Sequence, residues 1–128
     1  MSQGFTPRPR RAPGQPHGHS HDGANLSTEI GLLRARIATV RQRGREAFQD
    51  GSETYDVACM VIIRLAALLE REDLAPYLTA VTEEERRAIR TTRNIAAHAG
   101  YRADGLFRQA VTERVPEILD RIEGGMVR

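Results

Sequence analysis

Tryptophan and lysine are missing from this 128-residue chain, and cysteine occurs once. Aromatic residues make up only 5%. A core must therefore come from Leu, Ile, Val and Ala, which favours packed helices over a β-sandwich. A single Cys excludes an internal disulfide framework, and with it any argument for an oxidising compartment. No apolar run reaches the ~18 residues of a membrane span. Arg10 and Arg11 are followed by no apolar stretch of the kind an export signal carries. A cytoplasmic protein with no membrane partner is the expectation.

With lysine absent, all 19 basic residues are Arg, and every cation is a planar fork suited to phosphate. The formal charge is nonetheless only +2. Arg8, Arg10 and Arg11 against Asp22 account for all of it, because residues 27–128 carry 16 Arg and 16 carboxylates. The chain is not a globally basic nucleic-acid binder, so such an activity would need local clusters.

Residues 1–26 hold four of the six prolines and few apolar residues, which predicts a disordered tail. His17, His19 and His21 alternate within it, but no Cys or second ligand pair gives them a metal geometry, so no metal and no cofactor are expected. A first helix is expected from about Ser27, as N-cap, to Gln49. Leu26, Ile30, Leu33, Ile37, Val40, Gly44 and Ala47 form its apolar stripe. Arg34, Arg36, Arg41, Arg43 and Arg45 occupy other faces, as a solvated surface or a phosphate track.

Asp50 and Glu53 resemble a capping box before a second helix, about Glu53 to Glu70. That helix is apolar nearly all round, which predicts a central helix, a subunit interface, or both. Its Cys59 reads as a small core residue. A short helical turn is expected near Leu74 to Leu78. Thr82 and Glu85 form a second capping box, opening a third helix from about Glu83 to His98, with Gly100 as its C-cap. A fourth, about Gly105 to Ile122, follows a cap at Asp104, carries the stripe Phe107, Val111, Val115, Ile118 and Ile122, and should be kinked or divided at Pro116. The expected fold is an all-α, up-and-down bundle of four main helices with a short fifth element, over residues 27–123, with a short tail at 124–128.

The third helix ends in "RTTRNIAAHAGYR". Arg86, Arg90 and Arg93 make a cationic stripe beside Arg87, Asn94 and His98. RNA carries its own nucleophile, the 2′-OH. Its cleavage needs a base, an acid and a cation for the phosphorane charge. His suits the proton transfers and Arg the charge. One such His per chain supplies only half of the acid–base pair, and a symmetric dimer would supply the second. The bland alternative is a solvated helix end, where the helix dipole alone favours a cation.

"RNIAAHAGY" resembles the signature of the HEPN superfamily, and more narrowly its HepT-like branch, in which Arg is followed by a polar residue, then His, then Tyr. Arg93, Asn94 and His98 match that signature, and "RADGLFRQAVTERVPEILDRI" resembles the branch's last helix. The likeness implies a dimerising helical bundle with facing motifs and a metal-independent ribonuclease. It also implies the toxin role in a type VII-like toxin–antitoxin pair, with a nucleotidyltransferase antitoxin that adenylylates the motif Tyr. By that resemblance His98 is the acid or base, Arg93 the phosphate anchor and Asn94 an orienting partner. Arg90 and Arg102 add phosphate contacts, and Tyr101 contacts substrate or accepts the nucleotide. Tyr101 lies three residues after His98, where the family has two. The alternatives are a non-catalytic HEPN-like scaffold partner of a nucleotidyltransferase, and a helical dimer with no site.

Overall fold

In a computed structural model of the chain, residues 17–49, 51–97 and 104–126 are described. They are all-α: α1 is His17–Arg43, α2 Glu53–Leu69, α3 Glu83–Ala97, α4 Asp104–Gln109 and α5 Val115–Met126. Among the described residues there is no strand. No helix among them is long and apolar enough to cross a membrane.

Helix α1 starts ten residues before the expected cap, so Ser27 is an exposed residue inside it rather than its N-cap. The N-terminal extension has something to pack against. Leu26 is fully buried, and Gly23 leaves room for the Tyr77 hydroxyl, which would sit 3.4 Å from a Cβ at that position. The C-terminal end also differs. Gly44 takes φ 75°, a left-handed conformation that ends the helix at Arg43, six residues earlier than expected, and a 3₁₀ turn at Arg45–Ala47 follows. The apolar stripe itself behaves as its spacing requires: Leu26, Ile30, Leu33, Ile37 and Val40 are all buried.

Ser52, not Asp50, caps α2, its hydroxyl accepting from the Tyr55 N–H at 3.1 Å; Asp50 lies outside the described residues. Helix α2 is the centre of the bundle, packed on α1 along one side and α3 along another. That position accounts for most of its all-round apolarity within one copy of the chain: Ala58, Val61, Ile62, Leu65, Ala66, Leu68 and Leu69 are buried. Met60 remains 43% exposed, and Leu32 of α1 41%. Cys59 is half-buried against the core. A bidentate ion pair from Arg64 to Glu29, at 2.8 and 3.0 Å, joins α2 to α1.

A 3₁₀ stretch at Glu72–Tyr77 leads to the expected capping box. The Thr82 N–H donates to Glu85 Oε1 at 3.0 Å, and the Glu85 N–H donates to Thr82 Oγ1 at 3.0 Å. This reciprocal pair satisfies two backbone donors at the start of α3.

The last helical segment shows what Pro116 does. Between α4 and α5 the helix widens into a π turn at Ala110–Arg114 instead of breaking. Proline has no N–H, so the Thr112 carbonyl, four residues earlier, loses its α-helical donor. Arg41 of α1 replaces it, donating from Nη2 to the Thr112 oxygen. Phe107, Val111, Val115 and Ile122 are fully buried, and Ile118 nearly so. Phe107 also joins Phe48 and Tyr55 in a three-ring cluster, with centroids 5.2–5.8 Å apart.

Candidate functional site

Arg93 and Asn94 stand near the end of α3, consecutive residues about 100° apart around the helix, so it is the reach of the long Arg93 side chain that brings them together. The Arg93 Nε donates to Asn94 Oδ1 at 3.3 Å, and its Nη1 meets Glu70 Oε2 at 3.3 Å. Glu70 is the C-cap residue of α2, so the central helix ends beside the motif. The Arg93 side chain keeps 29% of its surface exposed and that of Glu70 keeps 50%. His98, Gly100, Tyr101 and Arg102 lie outside the described residues.

The cationic stripe along α3 divides by role. Arg86 faces inward. It donates to the Leu69 carbonyl at 2.8 Å and the Leu78 carbonyl at 3.1 Å, tying the end of α2 to the close of the 3₁₀ segment. Arg90 reaches Glu83 at 3.5 Å, the long end of an ion pair on an exposed face. Arg87 is exposed. Of the three stripe arginines, Arg90 and Arg93 keep their side chains on the surface.

The arginines of α1 do not form a continuous phosphate track. Arg34 pairs with Asp120 at 2.8 Å and Glu123 at 2.6 Å, bracing α1 against α5. Burial works against its charge, but the hydrogen bonds it donates to Glu123 and Asp120 outweigh that and raise its pKa. Arg43 pairs with Glu53 at 2.6 Å, Arg41 serves Thr112, and Arg36 donates to the Leu32 carbonyl at 3.4 Å. These contacts use the cations to hold the bundle together.

Arg45 differs from the rest. It lines a pocket of about 480 Å³ with Phe48, Gly105, Arg108, Gln109 and Glu113, between the α1–α2 connector and the start of the last helical segment. Sequence reasoning missed this pocket. Arg108 follows Phe107 at the edge of the buried stripe, and nothing in the local pattern separates it from a solvated arginine.

Glu85 shows how the capping box is reinforced. Its side chain also takes a hydrogen bond from Arg121 of α5, which, with the Thr82 N–H, lowers its pKa although partial burial opposes this. Arg71 lowers the pKa of Asp73 in the same way, through an ion pair at 2.5 Å. Both carboxylates hold connectors and are not poised to give up a proton at neutral pH. Among the described residues no group of three His, Cys, Asp or Glu side chains is arranged to hold a metal ion.

No family model matches the chain, and neither does any curated protein or solved structure. The resemblance to HEPN proteins therefore rests on the sequence motif alone.

Proposed function

We propose that this protein is a metal-independent endoribonuclease of HEPN type, acting as a homodimer and serving as the toxin of a pair whose antitoxin is a nucleotidyltransferase. The observation that carries this is the Arg93–Asn94 pair, hydrogen-bonded near the end of α3 and just ahead of His98 in the chain. In this reaction His98 takes the proton of the RNA 2′-OH, and the 2′-oxygen attacks the adjacent phosphorus. The 5′-oxygen then departs with a proton from the equivalent His of a second copy. Arg93 neutralises the phosphorane charge through its fork, and Asn94 holds the Nε edge of that fork. Arg90 and Arg102 add contacts along the strand, and Tyr101 contacts substrate or accepts the nucleotide.

Glu70 does not block this use of Arg93. An exposed ion pair is worth about 0.2–1 kcal/mol, so a phosphodiester making two charge-assisted hydrogen bonds can displace it. The experiment is cleavage of single-stranded RNA by the purified full-length chain in EDTA. Cleavage should persist, with products ending in 2′,3′-cyclic phosphate and 5′-hydroxyl. Products ending in 3′-hydroxyl and 5′-phosphate, or complete inhibition by EDTA, would refute attack by the 2′-OH.

The ion pairs of Arg93 with Glu70 and Arg90 with Glu83 favour a second reading, a scaffold that partners a nucleotidyltransferase without cutting RNA. There Arg93 braces the end of α2. RNA survives the chain intact, and Arg93→Ala lowers thermal stability without changing any activity.

A further inference from the structure

The pocket at Arg45 and Arg108 brings two guanidinium groups from separate parts of the chain into one concavity. Placing like charges together is unfavourable unless something negative completes the group. Among the described residues nothing negative is bonded to either guanidinium. Neither Arg45 nor Arg108 has an ion pair or side-chain hydrogen bond with them, although the Glu113 carboxylate lines the same pocket. Glu113 instead accepts from Gln109 Nε2 at 3.4 Å. The Nε of Arg108 is shielded from solvent and has no hydrogen-bond partner. A buried donor without an acceptor is costly, and a charged one more so, so such groups mark where an acceptor belongs.

The shape agrees with the charge. Gly105 leaves the wall open, and a Cβ built there would meet no atom within 4 Å. Phe48 is 4% exposed and locked in the ring cluster, so it forms an apolar floor rather than a stacking platform. Among the described lining residues no exposed ring is offered to a base, and the two arginines suit the pocket to an anion. Two arginines and one carboxylate leave a formal charge of +1, which a phosphodiester neutralises and a doubly charged monoester overshoots.

We infer that this pocket is a phosphodiester subsite for the RNA strand, with Arg45 and Arg108 as its anion ligands. The inference rests on the ribonuclease reading above and adds to it a second point of contact away from Arg93. Eight chain steps join Ala97 at the end of α3 to Gly105 in the pocket wall, at most about 29 Å, and Arg93 lies about 6 Å before Ala97 along the helix, so the two points lie within about 35 Å, the reach of a short single strand. On binding, the Arg108 guanidinium turns toward the pocket to donate to a non-bridging oxygen, because its Nε is shielded in the free chain, and Arg45 supplies the exposed half of the clamp. Glu113 limits the affinity by repelling the same phosphate.

The test is fluorescence anisotropy of a 2′-O-methyl single-stranded RNA, which binds without being cut, titrated with the full chain over a range of salt. Arg45→Gln and Arg108→Gln should each weaken binding about tenfold and make the salt slope shallower by about 0.7. Glu113→Gln should tighten binding, a change of sign that a merely structural role would not produce. Should Arg108→Gln fail to fold, by circular dichroism, the exposed Arg45 and Glu113 variants decide. RNA bound equally well by wild type and these variants, with the same slope, overturns the subsite and leaves the ribonuclease reading standing. No RNA binding by the wild type at low salt overturns both. Millimolar inorganic phosphate raising the melting temperature of wild type but not of Arg45→Gln, with RNA affinity unchanged between them, identifies a free-anion pocket and also overturns the subsite.

Discussion

Replacing Arg41 by Met tests how the last helical segment tolerates its proline. The Thr112 carbonyl is within a residue only 4% exposed. Pro116 cannot donate to it, and Arg41 does. Removing a charge-assisted hydrogen bond and stranding a buried carbonyl costs about 1.5–3 kcal/mol. For a domain of this size that lowers the melting temperature by roughly 6–10 °C. The long Met side chain preserves most of the apolar contact, which isolates the polar loss. The decisive comparison is a double-mutant cycle with Pro116→Ala, which restores an N–H four residues after Thr112. In that background Arg41→Met should cost less than about 0.5 kcal/mol. Chemical denaturation of the four proteins measures the coupling. Equal costs of Arg41→Met in both backgrounds would show that Arg41 acts through something other than the orphaned carbonyl.

Three further outcomes follow from the packing and the charges. The depressed Glu85 pKa means that folding favours its ionised form; this stabilisation is fully present above its ordinary value of 4.5 and is lost as pH falls through the lowered folded-state value. Glu85→Gln should therefore reduce stability at pH 7 and flatten the acid limb in urea midpoints measured from pH 7 to pH 3; an unchanged limb would contradict the assignment. Arg86→Met strands the Leu69 and Leu78 carbonyls and should cost about 2–3 kcal/mol, while Arg86→Lys recovers only part because one ammonium lacks the fork; equal stability of wild type and Arg86→Met would count against the clamp. Phe107→Ala removes the ring that joins Phe48 and Tyr55 and should cost about 3–5 kcal/mol by denaturant unfolding, with a loss under 1 kcal/mol showing that the cluster is not part of the core.

Periodicity made the bundle legible because burial follows it directly. The first helix's stripe is buried from Leu26 to Val40, though its last two expected members, Gly44 and Ala47, lie beyond α1 and are only half-buried, and the stripe of the Phe107 segment is buried throughout. The Thr82–Glu85 box was legible because both partners lie three residues apart and satisfy each other. Helix ends were harder. Gly44 looked like a stripe position at helical spacing, but its left-handed conformation stops α1 there. Ser27 looked like a cap, yet Leu26 and Gly23 had surfaces to meet and the helix ran on toward the N-terminus. Pro116 announced a disturbance without showing its form, since the donor that serves the Thr112 carbonyl arrives from α1, 71 residues away in sequence.

The candidate site divides along the same line. The adjacency of Arg93 and Asn94 could be read from the helix alone. Which arginines are consumed by the fold could not, because Asp120, Glu123 and Glu70 meet Arg34 and Arg93 only after the helices pack. The Arg45 and Arg108 pocket is likewise a product of tertiary structure, made by two segments with no local signature.

The most direct measurement of the proposed ribonuclease activity is the cleavage rate of His98→Ala beside wild type, with the oligomeric state of both checked by sedimentation. A general acid–base group contributes about 10²–10⁴ in rate, so cleavage should fall by at least two orders of magnitude while the fold and the dimer persist. A helix-end His would instead cost only about 0.3–1 kcal/mol of stability and leave activity untouched. Cleavage by purified His98→Ala at the wild-type rate, or a wild-type chain that is monomeric at micromolar concentration, would contradict a site shared between two copies.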